Sequence, residues 1–130
     1  IGMFIHAFTH DLSKFSLTEF VGYSLKFHSR NSDAFLIRRK WSEAYQHHIY
    51  HNKHHWNHWL DEDDYPIPMP YKYVKQMICD WQAMGRQFGD DAITYYKKNK
   101  RNMILHPDTI MIIKIILIEY YNYGESIWKQ

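Results

Sequence analysis

Within five residues, His10-Asp11-Leu12-Ser13-Lys14 sets an imidazole, a carboxylate and an ammonium side by side. Further along the chain stand His48, the pair His54-His55, and Asp80. Imidazole nitrogens and carboxylate oxygens in such numbers suit a divalent transition metal, and a lysine three positions past the acid suits an anionic substrate. The chemistry this set predicts is metal-assisted hydrolysis of a phosphoester.

Each of these residues also has a plainer use. Neighbours on a helix point roughly 100° apart, so His10 and Asp11 share a metal only where a helix ends. Ser13 to Ser16 supplies such an end; otherwise Asp11 caps the next turn and His10 lies half-buried at the surface. His48, Asn52 and His55 fall at i, i+4 and i+7, on one helix face. His47, His51, His54 and His58 make a second stripe, and both stripes cannot face a core. A break near Asn52-Lys53 would let His54 and His55 both turn inward, so periodicity leaves the two stripes undecided. Asp80 lies among Met77, Trp81 and Met84. An ionised carboxylate there needs a metal, or a lysine or arginine partner. Glu19 either pairs with Lys14 on the surface or braces Lys14 or a ligand histidine. His106, just before Pro107, caps or packs.

The elements that must position these groups are helical nearly throughout. Ile1 to His10 reads as the end of a helix with Met3, Ala7 and His10 on one side. Ser16-Leu17-Thr18-Glu19 has the form of a capping box and opens a helix to about His28. Arg30-Asn31-Ser32-Asp33 is a polar turn, and Asp33 caps a long helix from Ala34 to about His51, with Phe35, Ile37, Trp41, Ala44 and Tyr45 mostly facing inward. Asp61 to Met69 is an acidic, proline-bearing loop. Pro70 suits the first turn of the next helix, where its missing N–H costs nothing. Tyr73, Met77, Asp80, Trp81 and Met84 share that helix, which Gly85 or Gly89 ends. Asp90-Asp91 opens a shorter helix through Lys98, and Pro107-Asp108 opens the last. No strand alternation or repeat is visible. The expectation is a single all-α domain over residues 1–130.

Composition agrees. A chain of 130 residues with 45% hydrophobic and 18% aromatic residues can bury a core and is not disordered. A formal charge of +2 gives no argument for nucleic acid. Ten histidines are many for this length, and six of them fall between His47 and His58. A lone Cys79 makes no internal disulfide, so a cytoplasmic location is expected. The apolar run Ile110 to Ile118 is interrupted by Lys114 and is shorter than the roughly 20 residues a bilayer needs. It reads as a buried helix, and no membrane partner is expected. The chain opens at Ile1 without methionine, so a removed upstream piece is expected.

With His10-Asp11-x-x-Lys14, then His48, His54-His55 and Asp80 in that order, the chain resembles the HD superfamily of metal-dependent phosphohydrolases. The motif style is nearest the HD-GYP phosphodiesterases. The Gly-Tyr-Pro element is missing, so specificity for cyclic dinucleotides does not carry over. More of the length is similar to the uncharacterised bacterial and phage family termed domain of unknown function 5662. The matching pieces are His10 to Ser16 with Glu19-Phe20, and His48-x-x-x-Asn52-Lys53-His54-His55-Trp56. Met69-Pro70, Tyr73-Val74, Met77-x-x-Asp80-Trp81 and Met103 to Pro107 follow. This resemblance favours the His48–His55 stripe and brings no activity of its own.

The HD resemblance implies a compact fold of about five to six helices. It further implies one metal on His10, Asp11 and Asp80, with Asp11 bridging to a second on His48, His54 and His55. One or two ions of manganese, iron, nickel, cobalt or zinc fit such mixed ligands. Lys14 would neutralise a phosphoryl oxygen in the transition state, and Asn52 would orient a ligand or bond to substrate. HD proteins also take a histidine from a preceding helix; here either His6 substitutes or that helix lies upstream of Ile1. The implied substrate is a phosphorylated small molecule or nucleotide. Two other readings stand beside it. The HD architecture also hosts di-iron oxygenases. A non-enzymatic module binding metal or nucleic acid is the other, with Lys97-Lys98-Asn99-Lys100-Arg101 beside Tyr95-Tyr96 as its support. Such a basic run is more often a solvated helix end.

Overall fold

A computed structural model describes residues 12–28 and 33–121. The expected first helix, with His6, His10 and Asp11, and most of the polar turn before Asp33 lie outside the described residues. Among the described residues the regular structure is all-α, as the sequence predicts. There are five helices: α1 Leu17–His28, α2 Ala34–His51, α3 Tyr71–Phe88, α4 Ala92–Asn99 and α5 Pro107–Tyr121. Short 3-10 turns cover Leu12–Phe15, Trp56–Trp59 and Lys100–Asn102. The chain divides into two units, Ile1–Lys53 and His54–Gln130.

In the first unit, α1 and α2 begin at side-chain caps read correctly from sequence. Ser16 Oγ accepts from the Glu19 N–H at 3.3 Å, and Asp33 Oδ1 accepts from the Leu36 N–H at 3.0 Å. Such caps satisfy backbone donors that have no partner inside the helix. Only half of the capping box forms, because the Glu19 side chain is fully buried and its carboxylate is engaged elsewhere. The helices meet at a small-residue contact: a Cβ on Gly22 would collide with the Ala44 Cβ and lie 2.6 Å from the Lys40 carbonyl oxygen.

That contact decides which face of α2 turns inward. Ala44, His48 and the capping Asn52 are buried, spaced four apart, whereas Phe35 is 76% exposed and Tyr45 40% exposed. The expectation that Phe35 and Tyr45 face inward therefore fails. The close approach at Gly22 is centred on Ala44, and Tyr45 is turned roughly 100° away from it.

The second unit has its own apolar core, built from Met69, Val74, Met77, Ile78, Trp81, Ala92, Tyr96, Ile113, Ile116 and Leu117. The α3 contribution follows helical spacing, and Trp81 stacks on Tyr96 with centroids 5.9 Å apart. Met84, which shares the helix with Met77 and Trp81, is 44% exposed. The inward stripe passes through Gly85 instead, where an added Cβ would sit 2.7 Å from the Asp90 carbonyl oxygen. The helix ends at Gly89, whose φ of 74° is the left-handed conformation glycine adopts without strain. Pro70 occupies the N-cap of α3, one position before the expected first turn. Asp91 caps α4 through the Thr94 N–H at 2.7 Å, and the His106 ring accepts from the Asp108 N–H at 3.2 Å as α5 begins. The Ile110 to Ile118 run is buried on one face only, since Met111, Ile115 and Ile118 are exposed. No described helix is long and apolar enough to cross a membrane.

Gly22→Ala should therefore destabilise the protein by about 1–3 kcal/mol, the usual cost of overpacking a tight contact. Chemical denaturation checks this. An unchanged midpoint would mean that α1 and α2 do not meet as closely as described.

Candidate metal centre

Six described residues of the first unit are buried: Glu19, Gly22, Ala44, His48, Ile49 and Asn52. Three of them are polar, so bonding has to be satisfied there. Glu19 is the hub. The His48 Nδ1–H donates to Glu19 Oε2 at 2.9 Å, and the His47 Nδ1–H donates to Oε1 at 2.8 Å. Burial pushes the Glu19 carboxyl upward, but hydrogen bonds from His47, Ser13 and His48 outweigh it and hold the group below its ordinary range.

These contacts fix the tautomer of His48. A carboxylate only accepts, so the proton of His48 belongs on Nδ1, facing Glu19. The Asn52 amide nitrogen lies 3.1 Å from the same Nδ1. Its two hydrogens are already used, donated to Ser13 Oγ at 2.7 Å and to the His48 carbonyl oxygen at 2.8 Å. The 3.1 Å approach is therefore a packing contact. With Nδ1 protonated, Nε2 of His48 keeps its lone pair and can bind a metal. A carboxylate behind a histidine is the usual arrangement that orients such a ligand and raises its basicity.

The turn after α2 supplies two more rings. The helix stops at His51, and Asn52 takes an extended conformation with φ −117° and ψ 100°. Lys53 and His54 follow in a turn, and His55 precedes the next 3-10 turn. This is the break that lets both adjacent histidines face the same way, which an unbroken helix forbids. One ligand atom each of His48, His54 and His55 lies within 4.8 Å of the other two. His48 and His54 are buried and His55 half-buried. The Nε2 atoms of His54 and His55 are shielded and make no hydrogen bond, although both residues have other contacts. Three imidazoles with nitrogens this close are a donor set for a divalent transition metal.

The stripe left undecided by periodicity is thus resolved by the break at Asn52. His47 is half-buried on Glu19, His51 is exposed and stacks on His47 at 4.0 Å, and His58 lies beside Trp59. Among the other predicted site residues, Lys14 is half-buried in the Leu12–Phe15 turn, with Nζ 5.8 Å from the centroid of Tyr23. Asn52 is buried and braces Ser13 against the end of α2. Asp80 is half-buried on α3 and is not among the ligand atoms that meet within 4.8 Å. For Glu19 the structure bears out one of the alternatives read from sequence, since its carboxylate braces the candidate ligand His48, but its full burial was not read. Its signal was its position three residues before Gly22, on the stripe that packs against α2.

Glu19→Gln should destabilise the protein by about 1–3 kcal/mol at pH 7, since an amide cannot accept from both histidines. The pH dependence should change as well. A carboxyl held below its ordinary value of 4.5 stabilises the fold above that pH, and the contribution is lost as pH falls through the folded-state value. Denaturation midpoints of the native protein should thus fall more steeply below about pH 4.5 than those of the variant. Parallel curves would contradict the buried, ionised Glu19.

Among curated proteins and among solved structures, none matches the chain. A family model does, over residues 2–119, and that span includes every predicted ligand from His10 to Asp80. The chain belongs to the family of unknown function DUF5662.

Proposed function

We propose that this protein is a metal-dependent phosphohydrolase of the HD type, with His48, His54 and His55 as metal ligands. The observation that carries the proposal is the convergence of these three rings, with the Glu19 carboxylate holding the Nδ1 proton of His48. A divalent ion there would acidify a water molecule and polarise phosphoryl oxygens. The residues of the chain do the rest. Glu19 keeps the His48 lone pair directed away from itself, and Ser13 and Asn52 pack against that side of the ring. Lys14 follows Ser13 directly in the Leu12–Phe15 turn, so a cation stands one residue from the hydroxyl beside His48. It would neutralise charge building on a non-bridging oxygen. The HD resemblance implies that His10, Asp11 and Asp80 would add further nitrogen and oxygen ligands, with Asp11 bridging to a second ion.

The di-iron oxygenase alternative uses the same ligands, and turnover separates the two. Metal analysis of the purified protein should show at least one manganese, iron, nickel, cobalt or zinc ion per chain. A panel of phosphomonoesters and phosphodiesters should then be hydrolysed without oxygen. His54→Ala and Asp11→Ala should each lose both metal and activity while keeping their helical content. Full metal content in His54→Ala would refute the proposed ligand. Activity that requires iron and oxygen would replace hydrolysis with oxygen chemistry.

A further inference from the structure

The outer face of α1 carries rings where a soluble surface ordinarily has charges. Phe20 is 61% exposed and Phe27 64% exposed, and they lie seven residues apart with Tyr23 and Ser24 between them on the same face. Together with Lys14 and His28 they line a groove of about 380 Å³. That volume falls within the ~300–1,000 Å³ of small-molecule sites and suits one compact ligand.

The rings are ordered before anything binds. Tyr23 stacks on Phe27 at 6.2 Å, and Trp41 of α2 supports both edge-on, at 5.1 and 5.9 Å. Rings held this way lose little freedom when a flat ligand stacks on them. Among the described residues that line the groove, Lys14 carries a positive charge and none is acidic. Glu19, the acidic residue of α1, is buried and bonded to His47 and His48. Lys14 and His28 line the opening, and Lys26 lies 5.6 Å over Trp41. These cationic side chains favour an anionic group on the ligand.

The groove also borders the candidate ligand ring. Tyr23 meets His48 edge-on with centroids 6.5 Å apart, and Ser13 Oγ, next to Lys14 in sequence, is 3.3 Å from His48 Nδ1. A molecule stacked on the rings with its anionic end toward Lys14 would thus hold that end on the side nearest His48.

We infer that the groove lined by Lys14, Phe20, Tyr23, Ser24, Phe27 and His28 binds a phosphorylated planar aromatic molecule, a nucleotide. Aromatic faces take the base and Lys14 takes the phosphate. Binding stands on the groove alone; its service as the substrate site rests on the phosphohydrolase proposal.

The experiment is calorimetric titration of the full chain with adenosine monophosphate, ribose 5-phosphate and a short single-stranded oligonucleotide. The native protein should bind the mononucleotide at least tenfold more tightly than the sugar phosphate, because only the former stacks. Phe20→Ala, at an exposed position with little cost to folding, should weaken the mononucleotide about 5- to 150-fold and leave the sugar phosphate unchanged. Lys14→Gln should weaken both ligands. Equal affinity for mononucleotide and sugar phosphate, or a Phe20→Ala variant that binds like the native protein, would overturn the inference. Tighter binding of the oligonucleotide would identify a nucleic-acid end as the source of the base and phosphate; equal binding would identify a free nucleotide. Nucleotide binding without hydrolysis under any metal would leave the groove standing and refute the phosphohydrolase proposal instead.

Discussion

The first unit is organised around one buried carboxylate. Glu19 accepts hydrogen bonds from His47, His48 and Ser13, and its burial would be costly without them. Through His48 and Asn52 those bonds reach the end of α2, and through Ser13 they reach the turn that carries Lys14. A half-satisfied network of this kind is worse than an apolar interior. Fully satisfied, it fixes ring orientation in a way that packing alone does not. The same bonds that settle the interior also put the Nδ1 side of the His48 ring against Glu19. Burial of the carboxylate and orientation of the His48 ring are therefore a single arrangement here.

The two units solve the problem of burial differently. His54–Gln130 encloses a conventional apolar core in which Trp81, Tyr96, Met77 and Leu117 take part. Among the described residues of Ile1–Lys53, Gly22 and Ala44 meet closely, and Glu19, His48 and Asn52 are buried polar groups. The rings of the first unit lie outside that contact. Tyr23, Phe27 and Trp41 form an edge-to-face cluster at its flank, with Phe20 exposed beside them. An exposed aromatic face of this extent needs a use, and the inferred nucleotide site supplies one.

Much of the helical framework was legible because its signals are local. Ser16, Asp33 and Asp91 cap where expected, Gly89 terminates α3 in the left-handed conformation, and Pro107 opens α5. Such features depend on a few neighbouring residues and need no tertiary context. Sidedness was less legible. Phe35, Tyr45 and Met84 are large and apolar, yet the helix contacts run through Ala44 and Gly85, and small residues give little weight to a hydrophobic pattern. Glu19 fits a capping box so well by spacing that its burial could not be read locally. The histidine cluster was legible only as two alternatives, because the choice depended on whether α2 stops at His51. Asn52 decides that by folding its amide back onto the His48 carbonyl. The family match adds membership and no chemistry, so the metal proposal stands on these side chains themselves.

The tautomer of His48 tests the central claim most directly. Long-range proton–nitrogen NMR of histidine-labelled protein distinguishes a protonated Nδ1 from a protonated Nε2 without any assumption about substrate. The expected spectrum has the proton of His48 on Nδ1, with a bare Nε2 that shifts on addition of stoichiometric zinc. A proton on Nε2 that zinc leaves in place would mean that Glu19 does not orient a ligand and that His48, His54 and His55 do not form a metal site.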